Sequence, residues 1–258
     1  MIPTLAYDDF GSGFPLVLIH GHPFNRSMWR PQVEEFQTNY RVIAPDLRGY
    51  GASPVIPGQT LLSDFAQDIA AFLDKLLVER FVLCGLSLGG QIVLECYRQF
   101  PERIAGLVLA DTFATLDTAE VKQNRYRMAE RFLQEGMAAY SVEVLPKMMA
   151  PANIAANPEA ANRVLEMMQR SSLEGAAAAL KGRAERQDYT GLLGAIAVPT
   201  LIVVGSLDEF TPVSDAKFMH DRIPESELIV IDGAGHMPNI ERPQEFNAAL
   251  GALLEKIR

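Results

Sequence analysis

Phe81-Val82-Leu83-Cys84-Gly85-Leu86-Ser87-Leu88-Gly89-Gly90 decides the reading of this chain, because an apolar strand-like run meets a Gly-x-Ser-x-Gly turn and leads into the helix-like stretch Gln91 to Phe100. Small residues two before and two after a serine let a strand turn abruptly into a helix, so the hydroxyl projects from the apex of the turn. Such a serine is expected to be presented rather than buried. The helix then begins at or beside Leu88, and the unsatisfied N–H groups of its first turn point to where a carbonyl oxygen would become negative. By itself the pentapeptide is also compatible with an ordinary strand-to-helix turn.

A nucleophilic serine needs a base, and the base needs an orienting acid, each at the end of another strand. Leu201-Ile202-Val203-Val204 reads as a buried strand ending at Gly205-Ser206-Leu207-Asp208. Leu228-Ile229-Val230-Ile231 reads as a second one, ending at Gly233-Ala234-Gly235-His236. Upstream, Leu16-Val17-Leu18-Ile19 runs into His20-Gly21-His22-Pro23-Phe24, a loop placed to complete an oxyanion hole.

Ser87, Asp208 and His236, in that chain order, together with these loops, resemble the α/β-hydrolase superfamily, and the motifs run from Leu16 to the C-terminal helix. The HG-x-P loop and the G-x-S-x-G-G turn are most similar to the esterase, enol-lactonase and cofactor-free haloperoxidase or perhydrolase branch. The resemblance implies that the backbone N–H groups of His22 and Leu88 form the oxyanion hole. It also makes Asp46-Leu47-Arg48-Gly49-Tyr50-Gly51 a scaffolding turn, with Asp46 and Arg48 satisfying local groups. Asn239 to Phe246 resembles the segment joining the histidine loop to the last helix, and no chemistry is assigned to it.

The 258 residues, 48% hydrophobic, suffice for one large core. A formal charge of −9 argues against nucleic acid and anionic membrane surfaces as partners. Cys84 and Cys96 read as small buried hydrophobes rather than a disulfide, in keeping with a reducing compartment. Met1 to Asp9 has no basic start followed by an apolar core of secretory length, and no run reaches membrane-spanning length, so the expected location is cytoplasmic.

Apolar runs alternate with amphipathic stretches near Met28 to Phe36, Leu61 to Leu77, Gln91 to Phe100 and Phe246 to Ile257. The alternation predicts a mostly parallel sheet of the eight-stranded type, covered on both faces. After the strand Gly106 to Ala110 the pattern breaks. Residues 112–195 carry helix-like segments rich in Ala and Met, expected as a helical cap inserted after strand 6 into a core of residues 1–111 and 196–258. Of its methionines, Met128, Met137, Met148, Met149, Met167 and Met168 read as helix-packing core, with one or two touching substrate. Arg125, Arg127, Arg131, Arg183 and Arg186 read as solvated helix faces, against the sharper idea of a carboxylate clamp.

His20 and His22 alternate at the spacing of two metal ligands on one strand face, but no third ligand of suitable spacing lies nearby, and neither metal nor cofactor is expected. His220 reads as a helix-surface residue. Asp111, directly after a strand, is the alternative orienting acid, and Glu209 is the decoy beside Asp208. Asn25-Arg26-Ser27 matches a glycosylation sequon by accident.

The expected chemistry is two-step acyl transfer through an ester on Ser87, on a small-molecule carboxylic ester or lactone. Hydrogen peroxide replacing water as acceptor would give a perhydrolase. Serine in place of aspartate argues against haloalkane dehalogenase or epoxide hydrolase chemistry. A slow-turnover small-molecule receptor on the same fold is the alternative from another class.

Overall fold

The computed structural model describes residues 3–257. Among them seven strands form one sheet: β1 (Tyr7–Phe10), β2 (Pro15–Ile19), β3 (Arg41–Pro45), β4 (Phe81–Leu86), β5 (Ile104–Ala110), β6 (Thr200–Gly205) and β7 (Ser226–Ile231). Their order is β1-β3-β2-β4-β5-β6-β7. Every pairing is parallel except that of β1 with β3, where Tyr7 faces Pro45. The chain lays β3 on one side of β2 and β4 on the other. The strand order therefore reverses between β2 and β4, whose carboxyl ends, Ile19 and Gly85, lie in register. Open α/β sheets bind ligands at such a crevice.

Inner strands are apolar on both faces because both faces are covered. Val17, Ile19, Leu83, Leu109 and Ile202 point into one core, under α2 (Leu62–Lys75) and α3 (Leu88–Gln99). Leu16, Leu18, Val82, Cys84, Val108 and Val203 point into the other, under α1 (Arg30–Phe36) and the C-terminal helix Pro243–Ile257. Cys84 and Cys96 are free and buried in opposite cores. Burial pushes both thiols up, away from reactivity.

Between β5 and β6 come only helices: α4 (Ala119–Glu135), α5 (Ala138–Met148), α6 (Pro151–Ala156), α7 (Pro158–Gln169), α8 (Leu173–Ala184) and α9 (Thr190–Leu193). α4 packs on α8, and α5 on α7. Ala129, Phe132, Met137, Ala176, Ala177 and Leu180 give the α4–α8 pair a small core of its own.

Two expectations are corrected. The described strands number seven, not eight, so the helical segment follows the fifth strand of the chain. A single antiparallel strand, β1, precedes β2, and its largely exposed Tyr-Asp-Asp-Phe carries no apolar run by which to read it. β7 is not a buried strand, because it closes the sheet with β6 as its one neighbour and leaves Ile229 and Val230 partly exposed. Among the described residues no helix is long and apolar enough to cross a membrane.

Candidate active site

β4 runs into α3 through Ser87, whose φ of 57° and ψ of −115° are uncommon for a residue with a side chain. The turn holds this conformation because its neighbours leave no alternative. Ser87 N–H donates to the Ala110 carbonyl at 2.9 Å, and Thr112 Oγ1 donates to the Ser87 carbonyl at 2.8 Å. A Cβ on Gly85 would lie 2.3 Å from the Gly89 carbonyl oxygen, and one on Gly89 would lie 2.2 Å from that of Ile19. Both glycines are therefore required by backbone contact.

Leu88 opens α3, so its N–H has no acceptor within the helix. Across the crevice, a Cβ on Gly21 would touch that of Ser87 at 3.4 Å, which sets the loop carrying His22 directly against the serine. His20 is a scaffold. Leu47 N–H donates to its Nε2 at 3.0 Å, and its Nδ1 faces the Gly21 carbonyl at 2.8 Å. Both ring nitrogens are thus engaged by backbone, leaving none for a metal.

Asp208 follows β6, and His236 follows β7. His236 Nδ1 lies 2.7 Å from Asp208 Oδ2. A carboxylate only accepts, so Nδ1 carries the proton and Nε2 is left unprotonated. Asp208 Oδ1 accepts from the N–H groups of Phe210 (2.8 Å) and Thr211 (3.2 Å), while the Thr211 hydroxyl donates to Oδ2. Burial would raise this carboxyl, but its interaction with His236 and these hydrogen bonds outweigh it and hold it below the usual range. Phe210 packs edge-on against the imidazole at 5.2 Å.

Asp111, Asp208 and His236 bring ligand-type atoms within 4.8 Å of one another. They do not suit a metal, because both oxygens of Asp208 already accept from the protein and Asp111 Oδ1 accepts from Gly205 N–H at 2.9 Å. Asp111 is not the partner of His236.

Ser87, His22 and His236 line one cavity of about 540 Å³, closed by residues of the 113–183 segment and by Phe210. Ser87 is only 4% exposed on the wall of this pocket, contrary to the expectation that it is not buried. Met128 and Met148 line the cavity, while Met137, Met149, Met167 and Met168 are buried.

The arginines depart most from expectation. Arg127 is exposed, but Arg183 and Arg186 are buried and Arg125 and Arg131 are half-buried, Arg131 in ion pairs with Glu135 and Glu143. The face of α8 that carries Arg183 is turned toward α3, which helical periodicity alone does not reveal. Glu241, in the short helix Pro238–Glu241, was assigned no chemistry from sequence, yet it anchors the histidine loop. Its Oε1 accepts from the N–H groups of Gly235 (2.9 Å) and Met237 (3.2 Å), on either side of His236. Its Oε2 accepts from Ala150 N–H (2.8 Å) and Asn153 Nδ2 (2.7 Å). The Asp46 turn is scaffolding in this geometry: Asp46 is buried, accepts from the N–H groups of Arg26 and Ala52 at 2.8 Å each, and pairs with the Arg26 guanidinium. Arg48 pairs with Asp68.

A central parallel sheet with a serine turn at its reversal point is shared with many proteins of one class. The chain belongs to the α/β hydrolase fold family, which it matches over residues 15–243. It is similar to 3-oxoadipate enol-lactonase 2 of Acinetobacter baylyi, 31% identical over 255 residues that span 98% of this chain and 94% of that one. Among solved structures it resembles a thermophilic esterase from Thermogutta terrifontis with malate bound: 40% identity, TM-score 0.96, covering 98% of this chain and 93% of that one. A bromoperoxidase from Bacillus anthracis is similar at 25% identity and TM-score 0.88, covering 98% and 96%.

Proposed function

We propose that this protein hydrolyses small carboxylic esters or lactones through an acyl-enzyme on Ser87. The observation that carries the reading is the His236–Asp208 pair at 2.7 Å, in a loop lining the same cavity as the strained Ser87 turn. Ser87 Oγ attacks the carbonyl carbon while its proton passes to His236 Nε2. The resulting oxyanion is held by the N–H groups of His22 and Leu88, assisted by the positive end of α3. As the tetrahedral species collapses, the leaving alkoxide takes that proton from Nε2. Water then repeats the sequence on the acyl-Ser87 ester, releasing the carboxylic acid and restoring the serine. Asp208 fixes the tautomer and stabilises the imidazolium. The helices of residues 112–195 act as a cap that shapes the pocket, on a core formed by residues 1–111 and 196–258. The likeness to an enol-lactonase and an esterase supports this substrate class.

The same acyl-enzyme with hydrogen peroxide as acceptor would release a peracid, a second reading favoured by the likeness to a bromoperoxidase. The two free, buried cysteines support a reducing, cytoplasmic setting.

The test is turnover on p-nitrophenyl esters of increasing acyl length and on simple lactones, with and without peroxide. Ser87→Ala is expected to lower kcat by about 10⁴ or more while its thermal midpoint stays within a few degrees. Undiminished turnover by that variant would overturn the reading, and peracid in the peroxide arm would favour the second acceptor.

A further inference from the structure

Arg183 is a buried cation with no anion assigned to it. Among the described residues no carboxylate lies within salt-bridge distance of its guanidinium. Among the described residues its guanidinium makes one hydrogen bond, from Nε to Gln91 Oε1 at 2.7 Å, and its central carbon stands 5.9 Å from the Phe113 ring centroid. The residue is 9% exposed, and it lines the cavity of Ser87 and His236. An unpaired charge in such a place is costly unless something neutralises it.

Its surroundings add to the cost. Arg125 and Arg186 both bind Asp117, so the nearby carboxylate is already taken by two other guanidinium groups. Burial, and then the charges of Arg125 and Arg186, disfavour the charge on Arg183. Arginine nevertheless keeps its proton, so the balance points to an anion from outside the chain. Two further polar atoms await partners: Gln91 Nε2 and His22 Nε2 are buried without hydrogen bonds. Burial and the Arg183 charge keep His22 neutral. The other carboxylate in the wall, Asp215, belongs to the helix that follows the Asp208 loop.

The position of this cation is built in. A Cβ on Gly175 would lie 1.8 Å from the Gly49 carbonyl oxygen, and one on Gly182 would lie 1.5 Å from that of Thr60. These glycines, two turns apart, seat α8 directly on the loops after β3, with Arg183 next in the chain. Gln91 stands one turn beyond Ser87 on α3, its N–H donating to the Ser87 carbonyl at 3.2 Å. The group that orients Arg183 is thus about 6 Å along the helix from the nucleophile.

We propose that Arg183 is the carboxylate-binding residue of the substrate pocket, and that the preferred substrates are esters or lactones bearing a free carboxylate a few bonds from the carbonyl under attack. The inference rests on the acyl-transfer reading above and narrows its substrate class. A planar guanidinium held by Gln91 through Nε offers its remaining donors to both oxygens of a carboxylate.

The experiment compares each acid with its neutral methyl ester. One pair, 4-nitrophenyl hydrogen glutarate and 4-nitrophenyl methyl glutarate, carries the charge on the acyl side. The other, 3-acetoxybenzoate and methyl 3-acetoxybenzoate, carries it on the alcohol side. At least one acid is expected to exceed its ester in kcat/KM by about tenfold or more. Arg183→Met is expected to erase that ratio and Arg183→Lys to keep part of it. Both substrates of a pair are measured on one preparation, so the ratio does not depend on how much of a variant folds. A ratio near one in both pairs of the wild type, or one unchanged in Arg183→Met, overturns the proposal. Calorimetric titration of glutarate into Ser87→Ala, with and without Arg183→Met, separates the two readings. Arg183-dependent binding with every ester silent would remove the hydrolase and keep the subsite. Turnover without charge preference, and without glutarate binding, would keep the hydrolase and remove the subsite.

Discussion

Asp111 and Asp208 are neighbouring buried carboxyl groups whose surroundings push them in opposite directions. Asp208 is held low by His236 and its hydrogen bonds against the effect of burial. Asp111 is pushed well above the usual range, first by burial and then by the Asp208 charge, and its Oδ2 has no partner other than a neighbouring acid. Its φ of 44° is a strained conformation kept by the Gly205 N–H bond. These surroundings favour the protonated form of Asp111 and the ionised form of Asp208, so different tasks are expected of the two. Asp111→Asn is expected to keep kcat within about threefold, while Asp208→Asn loses roughly 10³ to 10⁴. The sign of the pH effect follows. The native state retains a proton that the unfolded chain releases above about pH 4, so Asp111 costs more stability as pH rises from there toward its native value. The thermal midpoint of Asp111→Asn relative to wild type should therefore climb between pH 4 and 7. A flat difference would mean that Asp111 is ionised.

At the scale of elements, the site is a set of loops at strand ends, and its precision depends on what pins them. Glu241 joins the backbone on both sides of His236 to the start of α6 through four hydrogen bonds. Glu241→Ala is expected to lower kcat by about tenfold with little change in KM, and to cost about 2–3 kcal/mol in urea unfolding. Unaltered kcat would show that the loop holds itself. The strands ending at the serine, acid and histidine were legible because each is a local apolar run stopped by glycine, as in Val203-Val204-Gly205. β1 was not, since Tyr7 to Phe10 borrows its strand geometry from β3. Glu241 was not legible either, because its partners at Ala150 and Asn153 are about ninety residues away.

For the whole molecule, acid is expected to destabilise the fold through carboxylates that are paired or hydrogen-bonded in the native state. Asp208 and Asp117 both titrate below the usual carboxylate range in the fold, Asp117 because Arg125 and Arg186 overcome the effect of its burial. Such groups contribute stability that is complete above the unfolded value near pH 4 and is lost as pH falls through the lower native values. The difference in unfolding free energy between wild type and Asp117→Asn, from urea titrations, should be level from pH 6 to 8, because the Asp111 contribution is common to both, and should shrink progressively below pH 4. An identical acid limb in that variant would exclude the Asp117 cluster as a source.

By itself the sequence determined the α/β layering, the serine turn and the order of serine, acid and histidine, because hydrophobic period and glycine punctuation are properties of neighbouring residues. Only the tertiary structure decided that Asp208 and not Asp111 meets His236, that β7 is an edge, and that Arg183 faces a cavity while Arg127 faces water. Each of these depends on which surfaces meet across long stretches of chain. Burial then sets the charge and hydrogen-bonding demands that a lone side chain in the sequence does not reveal.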